Sequence, residues 1–223
     1  MIELPASTFF NKRVPKQRFY ENLSVTSELK AIFVEQIDRI IWRNKIAPET
    51  LNLAKGEKVS ELQVFELFLN QKGLDQRALQ LMDREIPYHL LFLLRFEDQL
   101  QAVIAFKQQS LSKAGNFVVE NYYQTDWHKA NELKLRLEGL DMDAVYEGFI
   151  RQIAGERLEQ PSPAAQTTRE SLADAVARDK QRQSLGRKID ALQKKVHHEK
   201  QFNRQVALNA QLKRLKKQLE DLG

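Results

Sequence analysis

Cysteine is missing from all 223 residues, which excludes disulfides, thiolate nucleophiles, Cys-ligated zinc and iron–sulfur clusters in one step. Glycine and proline are scarce, at 8 and 6 residues, and the glycines form neither a GxxxxGK nor a GxGxxG arrangement. Phosphate-binding loops need such glycines so that backbone N–H groups can crowd an anion, so nucleotide hydrolysis of that kind is not expected. Long apolar runs are also lacking. The most apolar stretch, Tyr88 to Phe96, is interrupted by His89 and Arg95 and is far shorter than the roughly 20 residues that span a bilayer. No membrane association is expected. Lys12 and Arg13 follow the first apolar residues, the reverse of a secretory leader, and a cytoplasmic location is expected.

What is present fits a soluble globular chain, with 42% hydrophobic and 29% charged residues. The net charge of +5 is distributed unevenly. Between Arg178 and Lys217 there are 13 Lys or Arg against Asp179, Asp190 and Glu199, a net of +10, which leaves −5 for the rest. Such asymmetry points to a polyanion or an acidic partner, through phosphate attraction in the first case. A solvated helix rich in Lys and Arg has the same composition. The candidate contact residues here are Lys194, Lys195, Arg204, Lys213, Arg214, Lys216 and Lys217. A second basic stretch, NKRVPKQRFY at 11–20, combines Lys12, Arg13, Lys16 and Arg18 with Phe19 and Tyr20. It reads either as phosphate attraction with base stacking or as an arm tied over the domain by its aromatics.

Apolar spacing divides the chain. Residues 1–154 carry a mixed pattern of helices and strands. The stretch 155–168, GERLEQPSPAAQTT, has no apolar period and reads as a linker, and 169–223 reads as helix. In the first part Thr26 caps a helix expected over 26–44, and Asp75 caps a short helix that Pro87 closes. Asp141 caps another, bearing Val145, Phe149, Ile150 and Ile153. Strands are expected at 62–69, 88–96, 100–106, 117–123 and 133–137, with Glu97-Asp98 turning the second into the third. The fold class is therefore α+β, a mixed and mostly antiparallel five-stranded sheet with about three helices. In the last part Leu185, Ile189, Leu192 and Val196 form one heptad-like seam, and Leu208, Leu212, Leu215 and Leu219 another. The seams mirror each other about Phe202. In one straight helix they would stand roughly 140° apart, so a reversal near 201–204 and an antiparallel helical hairpin are expected. A continuous helix that meets different partners at each half, or seams that close between copies in a homo-oligomer, are the other arrangements open to this pattern.

Catalytic constellations are sparse. The pair His197-His198 has neighbouring side chains about 100° apart on a helix and no second ligand cluster nearby, so no metal site is expected. His89 opens an apolar strand as a core or edge residue, and His128 follows Asp126 and Trp127 in a polar loop. No cofactor is expected. A metal-dependent nuclease needs spaced carboxylates and a lysine on sheet edges. Glu132-Leu133-Lys134 supplies an E-x-K element, with Glu120, Asp126, Glu61 and Glu66 as further acids. Glu120, Glu132 and Lys134 would be its catalytic set.

Six segments carry a resemblance: LPASTFFNKRVPKQRFYENL at 4–23, IIWRNKIAPETLNL at 40–53, DREIPYHLLFLL at 83–94, YYQTDW at 122–127, LEGLDMDAVYEGFIRQIAG at 137–155 and EKQFNRQVALNAQLKRLKKQLEDL at 199–222. Together they resemble the bacterial family catalogued as domain of unknown function 4391. The resemblance covers nearly the whole chain. It implies a setting beside helicases and DNA methyltransferases in restriction-like or anti-phage defence systems, and it brings no catalytic residues with it. The expectation is a non-catalytic accessory or adaptor subunit that docks a helicase or methyltransferase and possibly DNA, with a divergent metal-dependent nuclease as the alternative.

Overall fold

The computed structural model describes residues 4–21, 25–109, 117–159 and 170–222. They fall into two units, Met1–Gly155 and Glu156–Gly223. In the first, the described residues form strands β1 (Phe9–Val14), β2 (Ile37–Ile46), β3 (Leu62–Leu69), β4 (His89–Phe96), β5 (Gln99–Gln109), β6 (Phe117–Gln124) and β7 (His128–Lys129). They make one sheet in the order β1-β2-β3-β4-β5-β6, with β7 on the free end of β5. Neighbours are antiparallel except β3 and β4. Parallel strands need a crossover, and helix α3 (Gln76–Glu85) is that crossover. LQVFELFL and HLLFLLRF are apolar on both faces because β3 and β4 are central and covered on both sides. Phe96 pairs with Gln99 across the Glu97-Asp98 turn, where Glu97 takes φ 52°.

Three expected elements differ. The helix after Thr26 is α1 (Ser27–Glu35), and 37–46, expected to continue it, is strand β2. Ile32, Phe33, Ile37, Ile40 and Ile41 satisfy helical spacing, but the β-branched and aromatic run from Ile37 to Trp42 gains more by pairing with β3, where Ile37, Ile40 and Ile46 are fully buried. Lys16 marks the junction by donating to the carbonyls of Val34 and Ile37. The first four residues of the basic stretch, 11–14, lie in the edge strand β1, with a bulge at Asn11, which takes φ 46°. The strand expected over 133–137 is not in the sheet. Leu133 and Leu135 are buried and Lys134 and Arg136 exposed, as alternation implies, yet the backbone partner is a side chain. Gln152 accepts from Arg136 N at 2.8 Å and donates to Arg136 O at 2.9 Å, standing in for a neighbouring strand.

Helix ends follow the capping residues. Thr26, Asp75 and Asp141 each accept from a backbone N–H of the first turn of α1, α3 and α4 (Met142–Ala154). A short helix, α2 (Pro48–Leu51), follows β2. One core gathers Phe33, Ile40, Phe65, Phe92, Leu79 and Met82 between the sheet, α1 and α3. Helix α4 packs on β5 and β6 with Phe149 and Ile150 fully buried. Its Asp143 accepts from the N–H groups of Glu57, Lys58 and Val59, which pins the loop ahead of β3.

Gly155–Leu158, which begins with the last residue of the first unit, is a 3-10 turn rather than open linker, and linker positions 160–168 lie outside the described residues. Ser171 caps α5 (Leu172–His198), and α6 (Phe202–Glu220) folds back against it. The helices form an antiparallel pair. The reversal comes at 199–201, slightly ahead of the expected place, because Glu199 leaves the helix and its carboxylate accepts from Gln201 N at 2.8 Å. Gln205 donates across to Val196 O at 3.4 Å. The seams face each other within the chain, half-buried to buried. No described helix is long and apolar enough to cross a membrane.

Candidate functional site

The paired helices of the second unit hold most of the cations singled out in the sequence. Every Lys or Arg spent outside the two apolar seams must point to solvent, so short seams on long helices create a wide charged surface. Lys194 and Lys195 on α5, and Arg204, Lys213, Arg214, Lys216 and Lys217 on α6, are all exposed. Among the described residues none of these seven forms an ion pair. Their neighbours nearer the start of α5 behave differently: Arg178 is bound to Glu170 and Asp179 to Arg157. The two helices therefore carry paired charge near the start of α5 and these seven unpaired cations farther along. Such a surface attracts phosphates or carboxylates of a partner and is screened by salt.

The N-terminal basic stretch is divided between structure and surface. Lys12 and Arg13 on β1 and Arg18 after it are exposed. Lys16 is committed to backbone carbonyls at the end of α1. Phe19 and Tyr20 are buried against Phe33, with ring centroids 5.8 and 6.0 Å apart. These two aromatics tie the arm to the core and offer no stacking face.

Glu120, Glu132 and Lys134 share neither an element nor a cleft. Glu120 is half-buried on β6, whereas Glu132 and Lys134 are exposed on the unpaired segment after β7. Glu61 is engaged by Gln63 and Lys45, and Glu66 by Arg43 and Arg95. Asp126 is exposed. Among the described residues no three His, Asp or Glu side chains are grouped as metal ligands. His197 and His198 are exposed in the last turn of α5, where cationic side chains suit the helix dipole. His128 pairs with Leu100 through β7.

Glu120 lines a cleft of about 400 Å³ with Gln76, Gln80, Arg84 and Tyr122, floored by a polar cluster that the sequence reading missed. Lys107 pairs with Val119 of β6 just past a register shift that leaves Glu120 as the extra residue of that strand. Its amine lies 2.7 Å from Asp83 Oδ1 of α3 and donates to Tyr88 O at 2.8 Å. Tyr122 donates to Asp83 Oδ2. Tyr146 of α4 bonds to the β5 backbone there, accepting from Lys107 N and donating to Ala105 O. Asp83 borders the cleft, but its side chain and that of Lys107 are only 0% and 1% exposed. Burial pushes the Asp83 carboxyl up and the Lys107 amine down, each against the attraction of the other. Burial likewise raises Tyr122 and Tyr146. His89 lies 4.4 Å from Tyr146 and 4.7 Å from Phe117. Burial and the nearby Lys107 charge hold it at about 3. This cluster binds α3, α4 and the sheet together. The only forewarning in the sequence was Asp83 and Lys107 beside apolar runs, since a buried charge requires a partner.

No curated protein and no solved structure matches the chain. The family model described as domain of unknown function, number 4391, matches residues 2–219, from before β1 to the last turn of α6, and the chain belongs to that family.

Proposed function

We propose that the protein is a non-catalytic accessory subunit of a bacterial DNA-processing complex of the restriction-like or anti-phage defence kind. The sheet unit docks a helicase or DNA methyltransferase, and the basic helical pair holds DNA or an acidic face of that partner. The observation that carries this reading is the set of seven exposed, unpaired cations on α5 and α6. A helical pair stabilised only by its seams gains nothing from so many like charges, because their mutual repulsion opposes folding. An anionic partner offsets that repulsion.

The experiment is reversal of Lys194, Lys195, Lys213, Lys216 and Lys217 to Glu in the full chain, followed by recovery of the tagged protein from its host with and without nuclease treatment. The reading expects the wild-type chain to retain a helicase or methyltransferase, or DNA, and the variant to lose it while its circular dichroism is unchanged. Undiminished retention by the variant would remove the helical pair from the binding surface. Loss of the wild-type partner on nuclease treatment assigns the contact to DNA.

A further inference from the structure

A second positive site lies on the opposite type of scaffold, the sheet of the first unit. Glu66 stands in the middle of β3 with a side chain only 10% exposed, and it serves two guanidinium groups from the flanking strands. Arg95 Nε of β4 lies 2.5 Å from Glu66 Oε1, and Arg43 Nη1 of β2 lies 3.5 Å from Oε2. Both arginines are largely withdrawn from water, at 15% and 23% exposure. One carboxylate cannot neutralise two guanidinium ions, so a positive charge is left over where water compensates it poorly. Their remaining N–H groups have no acceptor among the described residues. Arg95 is further held against Phe68, whose ring Arg39 also covers at 3.7 Å. Arg95 is thus held before any ligand arrives, which lowers the entropic cost of binding, and Arg43 stands beside it within reach of the same carboxylate.

The groups line a cleft of about 350 Å³ together with Phe9 and Asn11 of β1. The bulge at Asn11 separates the side chains of this edge strand. Phe10 packs on Trp42 with ring centroids 4.0 Å apart, while Phe9 is left 59% exposed at the cleft. An exposed aromatic ring beside two guanidinium groups matches a phosphate with a base attached, since the guanidinium groups take the oxyanion and the ring takes the π-face. A base paired inside a duplex cannot lie on that ring. We propose that this cleft binds one nucleotide of a single-stranded nucleic acid, with the phosphate at Arg43 and Arg95 and the base on Phe9.

The proposal does not rest on the basic helices, and its test separates the two. A fluorescent oligothymidylate carrying 5-iodouracil is titrated into the full chain and irradiated, in wild type and in the five-lysine reversal. Crosslinking is expected at Phe9 in both proteins. Phe9→Ala, an exposed change that leaves the core intact, should lower affinity in the reversal background about tenfold, in the range of one lost base stack. Arg43→Lys with Arg95→Lys keeps Glu66 paired but removes the forks, and should weaken binding by a similar factor. Crosslinks confined to α5 and α6, or affinity unmoved by both variants, overturn the assignment. Thymidine monophosphate that binds as tightly as the oligonucleotide also overturns it, in favour of a free nucleotide.

Discussion

Acid should unfold the first unit through His89, and the size of the effect follows from where the ring sits. The residue is 2% exposed, with its ring between Tyr146 and Phe117 and near the Lys107 charge. Burial and that charge lower its pKa from 6.5 to about 3, with Asp143 opposing in part. The unfolded chain takes up the proton as pH drops through 6.5, whereas the folded chain refuses it until about 3. Stability contributed by the neutral ring is therefore complete above 6.5 and is lost progressively below it. Between pH 8 and pH 5 the linkage relation gives a loss of about 2 kcal/mol from this residue alone. Carboxylates titrate over part of the same range, so the comparison must be with His89→Leu, which keeps them and removes the imidazole. Urea denaturation of both proteins at pH 8 and pH 5, monitored by Trp42 and Trp127 fluorescence, isolates the difference. The wild type should lose about 2 kcal/mol more than the variant. Equal losses would mean that His89 is protonated in the folded protein and that the Lys107 charge does not reach it.

Other perturbations test neighbouring parts of the fold. Lys107→Met leaves the Asp83 carboxylate buried against Tyr122 without its cation, and should cost about 3–5 kcal/mol in a thermal or urea melt. Adding Asp83→Leu to Lys107→Met should recover most of that loss, and no recovery would show that the pair does more than neutralise itself. Gln152→Ala removes both bonds to the Arg136 backbone and should cost about 1 kcal/mol, with faster amide exchange at Arg136. Gly56→Ala would place a methyl 2.2 Å from Asp143 Oδ1 and 2.8 Å from Val59 O. Displacing that clamp should cost about 2 kcal/mol, and an unchanged melting temperature would show that the loop gives way freely.

The parts of the fold that were legible are those in which a residue's partner is close in sequence or in which one period fits alone. Strands β3 to β6, the caps at Thr26, Asp75 and Asp141, and the two facing seams are of this kind. The switch from α1 to β2 was not, because Ile32, Phe33, Ile37, Ile40 and Ile41 satisfy a helical period, and only pairing with β3 decides between the two. Leu133 to Leu137 showed the right alternation of burial, but alternation does not specify whether a strand or the Gln152 amide supplies the hydrogen bonds. Phe19 and Tyr20 look alike as stacking platforms or anchors until Phe33 is seen beneath them. The Asp83–Lys107–Tyr122 cluster and the Arg43–Glu66–Arg95 group join residues 23 to 39 positions apart, and no local pattern announces such pairings. Basic residues were legible as a group, while their division into committed ones such as Lys16 and unpaired ones such as Lys213 was set by tertiary structure.

The most direct measurement of the central claim is the salt dependence of DNA binding by the full chain, with and without reversal of Lys194, Lys195, Lys213, Lys216 and Lys217. Each lysine that displaces a counterion from duplex DNA contributes about −0.9 to the slope of log affinity against log salt. If the helical pair is the binding surface, the wild type should show a steep slope, of about −3 to −5, and the reversal should bind at least about a hundredfold more weakly with a shallow one. A shallow slope in the wild type, or the same affinity and slope in both proteins, would contradict the assignment of the basic helices to an anionic partner of this kind.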